Sequence, residues 1–351
     1  MSNKMLAAVY YGPEDIRVEE RSVPEIGEGE VLLKVLSTGI CGTDLRIWHG
    51  NHRKYPVGTI RIPGHEVVGD LAKIGEQVTG LKVGQRVFVA PNMGCGHCRQ
   101  CVSGNNNLCA NYEAPGITFD GSFAEYLRIP AAAILQGNLI PVSKSIPPAV
   151  AVLIEPFACV LRGQDALNIQ PGETVLVVGA GPIGMMHMFL AQFRGAGKVF
   201  VSELIPERLS MAKDLGADRV VNPSNEDLGT VLGNETVGYG VDIVIVATPA
   251  HKAQEQALEF TGIGGRINFF GGLPKDRSTI SFDSNLVHYK ELVVTGTTAC
   301  STEDCRRAVA IIDTGRIDLS VLVGSRFPLS QAEEAFKAAD EGKALKVIIE
   351  P

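Results

Sequence analysis

Cys95, Cys98, Cys101 and Cys109 follow the pattern Cys-x2-Cys-x2-Cys-x7-Cys. That spacing brings four thiolates within reach of one tetrahedral ion, which predicts a structural zinc in a lobe of about residues 91–112. Gly94, Gly96 and Gly104 break the segment, so it can wrap an ion with no hydrophobic core beneath it, and the metal itself would fold it. Two disulfides are the rival use of four cysteines. Met1 to Lys4 runs directly into an alternating stretch at Ala7 to Tyr10 without a long apolar segment, so a secretory context with disulfides is not expected. The spacing also departs from the usual iron–sulfur runs, and no second run is present.

A second chemistry is carried by Gly179-Ala180-Gly181-Pro182-Ile183-Gly184, which follows the strand-like run Val175 to Val178 and precedes a helical run, Met185 to Arg194. In that context the glycines fit a dinucleotide site. Gly179 makes the tight turn, Gly181 lets the backbone approach a pyrophosphate at the helix N-terminus, and Gly184 allows helix to pack on strand. The next strand ends in Glu203, about 20 residues on, where a carboxylate accepts from ribose hydroxyls and repels a 2′-phosphate. NAD is therefore expected over NADP. Arg208 stands against this, because it could swing toward a phosphate. Met185, Met186 and Met188 on the same helix read as core packing.

A third set is spread more widely. Cys41-Gly42-Thr43-Asp44 follows the run Val31 to Leu36, Gly64-His65-Glu66 precedes another apolar run, and Glu155-Pro156 comes much later. A thiolate, an imidazole and a carboxylate would suit an open zinc site, although single Cys and His residues equally serve as packed core.

These residues need elements to hold them. The length of 351 residues with 45% hydrophobic content predicts two domains, and the net charge of −7 disfavours nucleic acid and anionic membrane surfaces as partners. No run is long and apolar enough to span a bilayer, so a soluble cytoplasmic protein is the expectation. Up to about residue 150 the chain reads as short strands cut by Gly and Pro: Val31 to Leu36, Val67 to Ile74, Val87 to Ala90 and Phe123 to Ile129. After Pro171 strands alternate with helices: Thr174 to Val178, Lys198 to Ser202, Arg219 to Val221, Val241 to Ala247, Arg266 to Phe270 and Glu291 to Thr295. Six such strands predict a doubly wound parallel sheet. Two helices, from about Glu303 and Ser330, and a strand at Ala344 to Ile349 are expected to return to the first domain.

The order Cys-Gly-Thr-Asp, Gly-His-Glu, four clustered cysteines, Glu-Pro-Phe-Ala and the glycine fingerprint resembles the zinc-dependent medium-chain alcohol dehydrogenases, in particular their polyol and threonine dehydrogenase branch, across essentially the whole chain. The resemblance implies a fold of α/β plus β class: a GroES-like catalytic domain over residues 1–157 and 299–351, interrupted by a Rossmann domain over 158–298. It implies two zinc ions per subunit, the catalytic one held by Cys41, His65 and Glu155, with Glu66 as a fourth ligand or close neighbour and Asp44 orienting the imidazole. Thr43 matches the hydroxyl that relays the alcohol proton. Where many relatives carry a histidine to pass that proton on, this chain has Arg46, which cannot accept one. Water, ribose hydroxyls or His49 are then the candidate relays, and Thr297-Thr298-Ala299-Cys300 stands where sorbitol dehydrogenases keep an arginine.

What the resemblance implies for activity is NAD-dependent oxidation of a secondary alcohol, first a polyol. Alternatives are a polyol phosphate, suggested by Arg46, His49, His52, Arg53, Lys54 and Arg61, or L-threonine; a non-catalytic NAD-binding protein is the alternative of different class. Trp48, Thr118, Phe119 and Phe270 could wall the pocket or serve as core, and Cys159, Cys300 and Cys305 read as ordinary packed thiols. A homodimer or homotetramer is expected.

Overall fold

The computed structural model describes residues 3–342 and 344–351. The chain forms two compact units, Met1–Ala158 joined with Ala299–Pro351, and Cys159–Thr298.

In the first unit a seven-stranded sheet runs in the order Val323–Pro328, Lys346–Glu350, Val31–Ile40, Glu66–Ile74, Arg86–Val89, Leu139–Pro141, with Tyr126–Ile129 also paired to Val31–Ile40. Lys4–Gly12 and Asp15–Ser22 form a separate antiparallel ribbon. The central strand extends four residues beyond the apolar run Val31 to Leu36 and delivers the chain to Cys41. The final strand lies beside it, with Val347 opposite Ile40, so Lys346 enters the same neighbourhood. The strand expected from Phe123 starts at Tyr126 instead. Phe123 and Ala124 serve the N-terminal strand: Ala8 N–H donates to Phe123 O at 2.8 Å and Ala7 bridges Ala124. Trp48 packs in the core with Phe123 and Phe336 rather than walling a pocket.

The second unit holds a six-stranded parallel sheet ordered Arg219–Val221, Lys198–Ser202, Thr174–Val178, Val241–Val246, Thr261–Phe269, Val293–Gly296. This is the strand order of the doubly wound dinucleotide fold. Its central strands are near-continuous Val, Ile and Leu because helices cover both faces. Two boundaries differ from the sequence reading. The fifth strand begins at Thr261, five residues early, because a register shift between Val241 and Ile243 lets Thr261 pair with Val241. The last begins at Val293, since Glu291 sits at φ 51°, outside the extended region. Met185, Met186 and Met188 are fully buried, as core.

The helix Thr302–Asp313 starts with a capping box, in which Ser301 Oγ accepts from Asp304 N–H at 3.1 Å and Asp304 Oδ2 accepts from Ser301 N–H at 2.8 Å. Among the described residues no helix is long and apolar enough to cross a membrane.

Candidate active site

The four-cysteine lobe brings its sulfurs together as the spacing predicts. Cys98 Sγ lies 3.5 Å from Cys101 Sγ and 3.8 Å from Cys109 Sγ, and Cys95 Sγ lies 3.9 Å from Cys101 Sγ. Zinc–sulfur bonds of about 2.3 Å in a tetrahedron place sulfurs about 3.8 Å apart. None of the four is in a disulfide. Gly94 is required here, since a Cβ on it would clash with Cys101 Sγ. Backbone N–H groups of His97 and Cys98 pull the Cys95 thiol down to about 6, while burial pushes Cys101 up to about 12. Thiols this close cannot all ionise without a cation among them, so the donor set fits zinc.

The second centre is assembled from separate segments. Cys41 caps the helix Gly42–Trp48: its Sγ accepts from Thr43 N–H at 3.2 Å, and Asp44 Oδ2 accepts from Cys41 N–H at 2.9 Å. The cap turns Cys41 Sγ to within 3.2 Å of His65 Nε2, where a shared zinc would hold them about 3.5 Å apart. Cys41, His65 and Glu66 offer donor atoms that all lie within 4.8 Å of one another. Asp44 Oδ1 is 3.5 Å from His65 Nδ1, an ion-pair distance rather than a close hydrogen bond. Asp44 thereby holds both the cap and the ring.

Charge balance in this centre favours a cation. His65 is buried, which alone would lower its pKa, yet the charges of Cys41 and Asp44 raise it well above the usual histidine range. A proton on His65 stands in for a missing positive charge. Burial raises Cys41 and Glu66, with His65 opposing in the first case and Lys346 in the second. Glu66 Oε2 ion-pairs with Lys346 Nζ, both side chains almost wholly buried. Lys346 keeps its proton against the cost of burial because Glu66 and Cys41 face it. Glu66 Oε1 has no hydrogen-bond partner among the described residues, as expected of a carboxylate waiting on an ion.

Glu155 is not in that close set. Its charge acts on Glu66 and Lys346, and its carboxylate falls instead in a group with Cys159 and Cys300, Cys300 Sγ being 3.8 Å from Glu155 Oε1. Cys300 and Cys305 are correspondingly not isolated packed thiols: their Sγ atoms lie 3.5 Å apart. His49, one of the candidates for the onward relay, faces carboxylates. His49 Nε2 contacts Asp340 Oδ1 at 2.8 Å, with Glu14 beyond its other nitrogen, so two carboxylates hold it. The residue on Thr43 is Arg46, whose Nη2 donates to Thr43 Oγ1 at 3.0 Å.

Among the basic residues that suggested a phosphate, burial and then the charges of Arg46 and Arg53 lower the pKa of His52, so these three remain close together. Arg61 donates to Ile117 O and Lys54 O and stacks on Tyr55 at 4.9 Å, so its charge is taken by carbonyls and a ring. Thr118 turns back on Ala114, and Phe119 packs against the core. Lys346 opens the strand Lys346–Glu350 ahead of Val347, Ile348 and Ile349, where a lysine reads as strand surface and no local signal marks it for the site.

In the second unit Gly179 adopts φ +103°, and a Cβ on Gly184 would strike the carbonyl of Gly179. The two glycines do what the motif asks of them. Glu203 Oε2 accepts from Ala180 N–H at 2.8 Å, and Oε1 accepts from Leu204 and Ile205 N–H at 2.7 and 3.1 Å. Pro182 and Ile183 open the helix Pro182–Phe193, at whose N-terminus a pyrophosphate would sit. Arg208 Nη1 lies 4.0 Å from Glu203 Oε2, so it is drawn to the carboxylate rather than solvated. Phe270 meets His187 edge-on at 4.6 Å.

Residues 27–141 match the alcohol dehydrogenase GroES-like domain and residues 182–314 the zinc-binding dehydrogenase family. The chain is 37% identical to the L-threonine 3-dehydrogenase of Pyrococcus horikoshii, over 99% of both chains. It is 34% identical to that of Caldanaerobacter subterraneus, over 100% of both. A zinc-binding dehydrogenase of Sinorhizobium meliloti, solved with NADP, superposes with a TM-score of 0.92 at 30% identity, covering 100% of each chain.

Proposed function

The chain belongs to the zinc-dependent medium-chain alcohol dehydrogenases, oxidoreductases of the threonine dehydrogenase-like branch, and from that membership we propose that it oxidises the secondary hydroxyl of a 2-amino-3-hydroxy acid of the L-threonine type to a ketone, with NAD as hydride acceptor. The observation that carries this is the convergence of Cys41, His65 and Glu66 on one point, beside Thr43. The full-length threonine dehydrogenase relatives favour this substrate class over the polyol reading.

Cys41, His65 and Glu155 would hold the catalytic zinc, with Glu66 able to take or leave a fourth position, and Cys95, Cys98, Cys101 and Cys109 the structural one. When bound, the catalytic ion acts as a Lewis acid on the substrate hydroxyl. Asp44 fixes the His65 ring, and Lys346 pairs with Glu66 and opposes the protonation that burial favours there. Thr43 Oγ1 takes the alcohol proton. Arg46, hydrogen-bonded to Thr43, keeps that hydroxyl oriented and puts a fixed positive charge where a substrate carboxylate would lie. Onward transfer of the proton then falls to water. Gly179, Gly181, Pro182, Ile183 and Gly184 would cradle the NAD pyrophosphate, and Glu203 the ribose, with Arg208 steadying Glu203.

All eight cysteines lack a disulfide, which suits a reducing, cytoplasmic setting. Val293–Gly296, at the sheet edge with Val293 half exposed, supports a homodimer or homotetramer.

The test is metal content together with turnover. Purified protein is expected to hold two zincs per subunit and to reduce NAD with L-threonine at a kcat/KM well above that with sorbitol, galactitol phosphate or 2,3-butanediol. A higher kcat/KM for a polyol would return the substrate to that class. NAD binding with no oxidation of any alcohol would establish the non-catalytic alternative. Preference for NADP would overturn the role given to Glu203.

A further inference from the structure

Asn106 lies between the last two cysteines of the lobe and is 9% exposed, yet its side chain is spent outside the lobe. Its Nδ2 donates to Asn92 O and, at 3.2 Å, to Thr302 Oγ1, and its Oδ1 accepts from Thr302 N–H at 3.0 Å. Thr302 is the first residue of the helix Thr302–Asp313, where an N–H has no partner inside the helix. Asn106 supplies that partner from 196 residues away in sequence. Asn92, at the other margin of the lobe, donates from Nδ2 to Cys300 O at 2.9 Å. Asn92 O is held in turn by Asn138 Nδ2 at 3.1 Å. Just ahead of these two clamps Ala299 takes φ 53°, a left-handed conformation uncommon for a residue with a Cβ. The bend sets Cys300 Sγ 3.8 Å from Glu155 Oε1.

We propose that Asn92 and Asn106 are positioning residues for the active site: the metal-held lobe clamps residues 300–302 and, through Cys300, sets the carboxylate of Glu155. The lobe is then more than a local staple. The metal fixes Cys101 and Cys109 on either side of Asn106, and a Cβ on Gly94 would already meet Asn106 Cβ at 3.0 Å, so Asn106 cannot drift while the lobe is loaded. Both clamps are buried, so neither lost bond is replaced by water and the segment must move to satisfy its polar groups. The proposal rests on Glu155 being a ligand of the catalytic zinc.

The experiment compares the two-zinc wild-type protein with Asn106→Ala and with Asn92→Asp, an isosteric change that sets a carboxylate oxygen against Cys300 O. Three quantities are measured: zinc release to a chelator at each site, hydrogen exchange of the amides of residues 300–306, and kcat and KM. The expected result is lobe zinc retained, exchange faster, catalytic zinc released about tenfold faster and kcat lowered about as much, with KM for NAD unchanged. Should Asn106→Ala fail to fold, Asn92→Asp carries the same expectation. Faster exchange with an unchanged release rate of catalytic zinc would overturn the proposal, and so would unchanged exchange. A wild-type protein holding a single zinc would instead sink the metal reading on which the proposal stands, before any variant is compared.

Discussion

The four-cysteine lobe takes all its donors from Cys95 to Cys109 and softens their charge with its own backbone N–H groups, whereas Cys41, His65 and Glu66 come from two segments and depend on a lysine at the far end of the chain. The two centres sit in one unit and share a donor type, but they distribute risk differently. The lobe is exposed and built by loop geometry, so its integrity rests on the metal. The second centre is buried, and its balance of charge rests on facing groups: Cys41 and Asp44 keep His65 protonated against burial, and Glu66 and Cys41 do the same for Lys346. Burial makes that balance costly to disturb from any side.

The largest effect expected is on the lobe. Cys98→Ser removes one of four sulfurs from a site of the kind whose metal supplies on the order of 10 kcal/mol of folding free energy. Such protein should lose the lobe zinc and melt at a markedly lower temperature. An unchanged melting curve with full zinc content would break the contrast, because the lobe would then not be folded by its metal. Next comes His65→Ala, expected to lower kcat/KM by about 10³-fold and zinc content from two to one while leaving the lobe zinc in place. Retention of both zincs would show that the second centre does not bind through His65.

A smaller loss is expected from Lys346→Met. Without the ammonium, burial and the nearby Glu155 would drive Glu66 to take up a proton, removing its donor capacity. Groups that hold metal ligands in place commonly carry 10- to 100-fold in metal affinity or activity, and about that range is predicted here. The informative readout is zinc affinity as a function of pH. Glu66 in the variant should need a higher pH to ionise, so the affinity curve should shift upward in pH; a curve that stays put would leave Lys346 as packing alone.

Legibility in the sequence followed the same divide. Every lobe donor could be read from spacing, and so could the glycine turn, because in both cases the chemistry is local and the geometry follows from a dozen residues. The parallel strands were also readable, their Val and Ile runs being continuous where helices cover both faces, as at Val175 to Val177. What spacing did not carry was pairing between distant segments. Lys346 looked like an ordinary strand residue, Asn106 like a loop polar, and Cys300 and Cys305 like packing, since nothing local says that the last strand lies beside Ile40 or that Thr302 meets the lobe. Phe123 lies outside the strand expected to start at it for the same reason: its apolar alternation is real, but its backbone partner is Ala8.

The least effect is predicted for the one buried histidine of the second unit, and it tests the charge argument by contrast. His187 is fully buried, its Nε2 has no hydrogen-bond partner among the described residues, and burial, aided by Arg194, lowers its pKa to about 3. His65, equally buried, goes the other way because Cys41 and Asp44 face it. An unfolded chain would protonate His187 near pH 6.5. Between about pH 6.5 and about 3 the unfolded state therefore binds a proton that the folded state refuses, and stability falls as pH drops, by up to about 1.4 kcal/mol per pH unit well below 6.5. Above that window His187 is neutral in both states and adds no pH dependence. His187→Leu should abolish this slope while leaving unfolding at pH 8 within about 1.5 kcal/mol of wild type. Parallel denaturation curves for the two proteins from pH 8 to 5 would mean that His187 accepts a proton in place, and that burial without a facing carboxylate does not suffice to keep a histidine neutral in this fold.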